Sequence, residues 1–485
     1  MDHLDVAIIG AGLSGIGAAC HLEDHCPTKS YAILESRHAL GGTWDLFRYP
    51  GIRSDSDMHT LGFSFKPWRA EKSIADGPVI RDYMVETVAD YKIEDKIRYH
   101  HKLRSASWSS AEKRWTLTVE RTDTNETLQI SCGMLFMCSG YYNYERGYRP
   151  EFEGASDFEG QIIDPQFWPE DLDYKGKRVA VIGSGATAVT IVPSMCDEAE
   201  HVTMVQRSPT YIVSRPARDA IANFLRKILP EKWAYAITRF KNVQMQRVMY
   251  GRTRTHPEDV KNRLLGMVRE ELGPDYDVDK HFTPSYNPWD QRLCLVPDGD
   301  FFKMIRAGKA SVVTDHIDSF TKSGIQMKSG EQVEADIIVT ATGLEMKVLG
   351  GVEFSMDGET IDFSKTFTYK GMMYSGIPNL VQTFGYINAS WTLRADLTSE
   401  YVCRLLNQMD ATKTEVCVPR IKDEDRDMPE LPWIDDFTPG YMQRMMHLFP
   451  HQSDRAPWRN TQNYTKDKKM IRSAPIEDGS ICFEN

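Results

Sequence analysis

The 485-residue chain has no CxxC pair. Its nine cysteines (Cys20, Cys26, Cys132, Cys138, Cys196, Cys294, Cys403, Cys417 and Cys482) are scattered and odd in number. That pattern argues against a disulfide framework or a zinc site, and for reduced thiols in a cytoplasmic protein; no metal is expected. No apolar run approaches the ~20 residues of a bilayer-spanning helix. No basic leader followed by an apolar run opens the chain, so neither a signal peptide nor a transmembrane segment is expected. Positive charge is in deficit, with 58 Lys+Arg against 69 Asp+Glu and a net charge of −11. An acidic chain gains no bulk attraction to phosphate backbones, which speaks against nucleic acid as a partner. Low-complexity tracts are missing too. The remaining composition, 41% hydrophobic and 26% charged, is that of a globular protein, and the length predicts two or three domains.

What is present begins with a glycine-rich turn. Asp5-Val6-Ala7-Ile8-Ile9 reads as a strand, and Gly10-Ala11-Gly12-Leu13-Ser14-Gly15 follows at once. Ile16, Ala19 and Leu22 then stand at helical spacing, and a second strand, Tyr31–Leu34, ends at Glu35. This is the dinucleotide fingerprint in its proper context. Gly10 permits the tight turn, Gly12 lets a pyrophosphate approach the backbone, and Gly15 lets helix and strand pack closely. The helix start offers N–H groups and a positive dipole end to phosphates. The pattern recurs at Arg178–Ile182, with Gly183-Ser184-Gly185-Ala186-Thr187-Ala188 as the turn and His201–Gln206 as the second strand. One such motif is a weak signal; two, each set between strand and helix, are a strong one.

The two copies differ where it matters. The second strand ends at Glu35 in the first copy and at Arg207-Ser208 in the second. A carboxylate accepts hydrogen bonds from ribose hydroxyls, whereas a guanidinium can fork onto a 2′-phosphate. The first copy therefore suits the adenosine of FAD and the second suits NADPH. The stretch after the first unit, Gly41 to Pro50, holds no cysteine, which removes the redox pair that a disulfide reductase would place there. Dioxygen, or an acceptor that leaves no sequence trace, remains as the electron acceptor.

Residues 215–254 hold ten Lys/Arg against Asp219 and Glu231, a local excess of 10 − 2 = +8. Apolar residues recur there at helix-like intervals, so a mainly helical insertion is expected. A solvated face is the plainer account of this charge; a membrane-surface patch is the sharper one. Residues 310–343 turn strand-rich and close on Thr342-Gly343, and aromatic clusters surround Trp391, Trp433 and Trp458.

Longer stretches carry a family resemblance. Gly41-Gly42-Thr43-Trp44, then Tyr49-Pro50-Gly51, then Asp55, resemble position for position the first-domain signature of type I Baeyer–Villiger monooxygenases. Phe158-x-Gly160-x-x-x-Asp164-x-x-x-Trp168-Pro169 is similar to that family's linker fingerprint, with Asp164 where the family has His. Gly51–Asp57 and Tyr286–Arg292 point within it to the flavin monooxygenases that activate thioamides. The resemblance implies an α/β fold: two Rossmann-like domains, for FAD and NADPH, with a helical insertion. The expected division is 1–145 with 344–485 for FAD, 146–214 with 291–343 for NADP, and 215–290 as the insertion. It also implies that NADPH reduces FAD, that dioxygen is activated, and that one oxygen atom enters a ketone, a sulfide or a thioamide.

The family's catalytic arginine aligns with Arg292, and the carboxylate that orients it aligns with Asp55. A fixed guanidinium stabilises the negative charge that develops during oxygen transfer. Gly42, Thr43, Trp44, Asp55, Ser184, Ser208, Gln291, Thr342, Gly343 and Asn388 join the fingerprint residues as expected cofactor contacts. Gln291 replaces a lysine of many relatives near the 2′-phosphate, and 385–391 is expected to approach the flavin or substrate. Asp164 leaves room for an S- or N-oxygenating enzyme with little ketone activity. A sensor without turnover is a third reading, disfavoured by Arg292 and Asp55.

Overall fold

The computed structural model describes residues 2–291, 293–435 and 438–485. The strand Asp2–Ile9 forms the centre of the first unit, paired in parallel with Tyr31–Leu34 on one side and Thr127–Met137 on the other. Its alternating and continuous apolar residues are buried because both sheet faces are covered. The long strand Thr127–Met137 is shared. Its first half continues antiparallel into Arg114–Arg121 and His101–Ser109, and its second half pairs in parallel with Leu380–Gln382. The helix Leu13–His25 packs against the long helix Trp391–Thr412, so the C-terminal third of the chain returns to complete this unit.

The second unit is a five-stranded, fully parallel sheet. Its order is Ala310–Thr314, His201–Gln206, Arg178–Ile182, Ile337–Thr340, Gln161–Ile163. The helix Ala186–Met195 follows the central strand, as a Rossmann crossover requires. Two crossings join the units, and they run side by side as the antiparallel pair Tyr142–Gly147 and Leu344–Met346.

Between the parallel strands Tyr211–Arg215 and Leu293–Pro297 lies the helical insertion: Ala220–Ile228, Glu231–Thr255, Pro257–Leu272 and Val278–Phe282. Its inner face is latched to the first unit. The Arg239 guanidinium donates to the carbonyls of His59 (3.0 Å) and Gly62 (2.7 Å) and pairs with buried Asp396 at 3.3 Å. Asn242 Nδ2 donates to Asp57 at 2.9 Å, and the Tyr235 hydroxyl donates to the Phe63 carbonyl at 2.8 Å.

Candidate active site

The two glycine turns are built alike. The Gly10 N–H donates to the Leu34 carbonyl at 2.9 Å, and the Gly183 N–H donates to the Val205 carbonyl at 2.8 Å. Each turn is thereby held beside the end of its second strand. At Gly10 (φ 103°) a Cβ would stand 2.8 Å from the Cys138 carbonyl oxygen, and at Gly15 it would stand 1.8 Å from the Gly10 oxygen. These two positions exclude any side chain. Gly12 and Gly185 are different: a Cβ at Gly12 would meet only Gly42 Cα, at 3.7 Å, and at Gly185 it would meet nothing within 4 Å. The space left by these two absent side chains faces helix starts that carry no side-chain cap. The first-turn N–H groups there are free to receive phosphate oxygens. Ala188 is fully buried and plays the close-packing part in the second unit.

Glu35 is 5% exposed. It accepts from the Ala11 N–H at 2.8 Å through one oxygen and from the Arg37 N–H at 2.9 Å through the other. Burial pushes its carboxyl up, opposed by these backbone bonds and the Arg37 charge. The Ser36 hydroxyl donates at 3.4 Å to the same oxygen as Arg37, so acceptor capacity for a ribose hydroxyl remains on the oxygen that takes only the Ala11 N–H. Ser139, next to Gly10, has a buried hydroxyl with no partner among the described residues, which also fits a bound polar group. Arg207, by contrast, is exposed and has no carboxylate partner among the described residues. Ser184 Oγ donates to the Ser208 carbonyl at 3.1 Å and bonds Thr210 at 2.8 Å, closing the turn beside it. The space at both turns thus fits a dinucleotide pyrophosphate, with a buried carboxylate beside one and an exposed guanidinium beside the other.

The stretch from Gly41 onward joins the units. The Gly41 N–H donates to the Ala11 carbonyl at 2.9 Å, and Gly42 (φ 54°) lies so close that its Cβ would be 3.1 Å from Gly12 Cα. Asp45, buried behind the short helix Thr43–Leu46, pairs with Arg37 at 2.7 Å and Arg81 at 2.9 Å. The chain then leaves the first unit, and Phe47 and Tyr49 enter the apolar core of the second. At Gly51 (φ 73°) a Cβ would stand 1.8 Å from Ser194 Oγ on the helix Ala186–Met195. Arg53 pairs with Asp300 at 2.5 Å. Burial pushes the Tyr49 hydroxyl up to about 12, with Thr187 opposing and the Asp55 charge adding. Tyr49 thus sits at the seam within the field of the Asp55 carboxylate.

The chain is 54% identical, over 99% of its length and 98% of the relative, to the FAD-containing monooxygenase EthA of Mycobacterium tuberculosis. It belongs to the FAD-containing monooxygenases. The probable FAD-binding monooxygenase AlmA of Acinetobacter baylyi is 47% identical over 99% of this chain and 96% of its own. Family models for flavin-binding monooxygenase-like proteins and for the NAD(P)-binding Rossmann-like domain match residues 78–268 and 8–71. Among solved structures, "Oxidized steroid monooxygenase bound to NADP" superimposes with a TM-score of 0.78 at 20% identity. "Open crystal structure of cyclohexanone monooxygenase" gives 0.77 at 18% identity. Each covers 100% of both chains, and the two-dinucleotide-domain fold is shared with them.

Other expected site residues of this monooxygenase fold fall in varied places. Arg292, the expected catalytic cation, lies outside the described residues. Gln291 is half-buried ahead of the strand Leu293–Pro297. Thr342 Oγ1 donates to the Tyr148 carbonyl at 2.6 Å, and the Tyr148 N–H donates to the Gly343 carbonyl at 3.0 Å, so this pair clasps the two crossings. Gly343 (φ 114°) also borders open space. Asn388 donates to the Gln462 carbonyl at 3.0 Å. Its neighbour Trp391 donates to Ser14 Oγ at 2.7 Å, in the first turn of the fingerprint helix, and stacks on Tyr141 with centroids 5.3 Å apart. Trp44 is half-buried against the same core. Met372 and Met373 are buried in that core. Sequence reasoning missed Ser139, Tyr141 and the wedge made by Phe47 and Tyr49; only the aromatic residues of the Gly41–Gly51 signature hinted at the last.

Proposed function

We propose that the chain is an NADPH-dependent Baeyer–Villiger-type monooxygenase that inserts one oxygen atom of dioxygen into ketones, giving esters or lactones, and also oxidises sulfides and thioamides. Residues 1–145 and 344–485 hold FAD, residues 146–214 and 291–343 hold NADPH, and 215–290 form the insertion. The observation that carries this reading is the pair of matched glycine turns ending in opposite charges, Glu35 and Arg207, in units stitched by one signature loop. When bound, the flavin supplies the redox chemistry, taking hydride from the nicotinamide and activating dioxygen. The net reaction consumes NADPH, a proton and dioxygen and yields NADP⁺, water and the oxygenated product.

The residues of this chain bind, orient and exclude water. Gly10, Gly12 and Gly15 admit the first pyrophosphate, Glu35 takes its adenosine ribose, and Gly42, Thr43 and Trp44 close over it. Gly183, Ser184, Gly185, Thr187 and Ala188 do the same for the second nucleotide, with Arg207, Ser208 and Gln291 at its 2′-phosphate. Thr342, Gly343 and Asn388 complete the lining. Arg292, oriented by Asp55, holds positive charge where the oxygen-transfer transition state is negative, which is worth several kcal/mol in a water-excluded site. That none of the nine cysteines forms a disulfide among the described residues supports a cytoplasmic location.

Asp164 favours a second reading, an S- or N-oxygenating enzyme with little ketone activity. Its carboxylate caps the turn Pro165–Phe167 by accepting from the Gln166 N–H at 2.9 Å, and it lies against Gly147 at the domain crossing. A panel of one ketone, one sulfide and one thioamide with NADPH, scored for oxygenated product against hydrogen peroxide, separates the two. Ester from the ketone supports the first reading, and sulfur oxide alone supports the second. Colourless protein, or reductant consumed only to peroxide with every compound, ends both.

A further inference from the structure

The helical insertion has one face committed and one uncovered. Ala234, Tyr235, Thr238 and Asn242 are buried on the side latched to the first unit. The opposite side carries apolar residues at helical spacing: Ile221, Phe224 and Ile228 on Ala220–Ile228, then Trp233, Ile237 and Phe240 on Glu231–Thr255. Trp233 and Phe240 are each 67% exposed. Of thirteen exposed large apolar side chains among the described residues, eight fall between positions 221 and 248. Scattered exposed leucines need no explanation, but a contiguous row of this kind marks a surface that is covered in use.

Charge identifies the cover. The row runs through the segment whose local excess is +8, in a chain of net −11. Several of these cations are spent inside the fold, as Arg239 on Asp396, Lys241 on Asp219 and Arg254 on Asp290. Lys227, Lys232, Arg247 and Arg252 flank the apolar row with no carboxylate partner among the described residues. A second copy of the chain docking through the same patch would set like charges against each other. An anionic surface with an apolar interior satisfies both features. Among the described residues, no helix is long and apolar enough to cross a membrane, so contact is with the surface.

We propose that the outer face of Ala220–Ile228 and Glu231–Thr255 docks on a bilayer containing anionic phospholipid. Trp233, Phe240 and Phe224 enter the boundary between headgroups and acyl chains, and Lys227, Lys232 and Arg247 meet the phosphates. The rest of the enzyme stays in water, because the inner face remains held by Arg239 and Asn242.

Flotation of the full-length, flavin-loaded enzyme with vesicles tests this. One set contains equal parts phosphatidylglycerol and phosphatidylcholine, and the other contains phosphatidylcholine alone. The wild type is expected to float with the anionic set, at least about tenfold more than with the neutral one, and to be released by high salt. The triple variant Lys227→Glu, Lys232→Glu, Arg247→Glu should lose about a hundredfold in partition, each cation being worth about fivefold. Trp233→Ser with Phe240→Ser should also lose binding. Both variants should keep vesicle-free NADPH oxidation and melting temperature, since every altered side chain is exposed. No flotation of the wild type with anionic vesicles overturns the proposal. So does equal flotation on both lipid sets, or a vesicle-independent dimer abolished by the apolar variant.

Discussion

Replacing Arg207 with serine removes the positive charge at the end of the second glycine turn. The guanidinium is exposed, and no carboxylate among the described residues competes for it. A forked, charge-assisted contact to a phosphate is worth about 1.5–3 kcal/mol. Solvent on the outer side screens part of that, so the lower portion applies, about 1.5–2 kcal/mol. This corresponds to a rise of about 10–30-fold in KM for NADPH. The contact is the same in ground and transition states, so kcat should hold. NADH has no 2′-phosphate, and its kinetics should be unaltered. The assay is reductant oxidation at saturating dioxygen and substrate, with both nucleotides titrated against both proteins. A KM for NADPH that stays put, or one that rises equally for NADH, refutes the assignment of Arg207 to the 2′-phosphate.

Gly12→Ala and Gly185→Ala place a methyl group where the protein itself has room, at 3.7 Å from Gly42 Cα and in open space respectively. The apoprotein melting temperature should hold, while the first variant loses flavin absorbance and the second raises KM for NADPH, each at least about tenfold. Gly51→Ala forces a Cβ to within 1.8 Å of Ser194 Oγ at a φ of 73°. Overpacking and the left-handed backbone together should cost about 2–4 kcal/mol, readable by denaturant titration.

Burial alone would push the Asp396 carboxyl up, yet the bond and charge of His21, with Arg239 and Ser64, hold it below the usual carboxylate range. A lowered folded value contributes stability that is whole above pH ~4 and is lost as pH falls through the folded value. Asp396→Asn should therefore flatten the acid limb of a stability profile and cost about 3 kcal/mol at neutral pH, because Arg239 loses its charge partner and keeps only its backbone carbonyls. Asp164→His exchanges an acceptor for a group that can donate, at the domain crossing. Product formed per NADPH consumed should change while maximal oxygenation persists; unchanged coupling would count against a linker role.

The parts of the molecule that sequence revealed are those in which one residue's geometry is settled by near neighbours. Gly10 and Gly183 each close a turn onto the strand directly following, so spacing alone locates them. Glu35 and Arg207 stand at strand ends for the same reason. The wedge of Phe47 and Tyr49 was not legible, because their partners sit on a sheet and helix more than a hundred residues later and either unit's core could have claimed them. Asn388 and Thr342 were likewise placed by resemblance, and their hydrogen bonds run to the distant Gln462 and Tyr148. In the insertion, periodicity revealed two faces but not their assignment. Arg239 and Asn242 turned inward beside Tyr235 and Val243, with Asp57 of the first unit as a partner, while Trp233, Ile237 and Phe240 turned outward, where a solvated surface helix would place polar residues.

The stretch from Gly41 to Arg53 answers to two units at once: it leans on the first glycine turn and is nailed into the body that carries the second. A lever shared in this way obeys reciprocity. Whatever factor a settled first ligand adds to the grip on the second, the second must return in equal measure. Stripping either nucleotide should therefore loosen the other, although they need never touch.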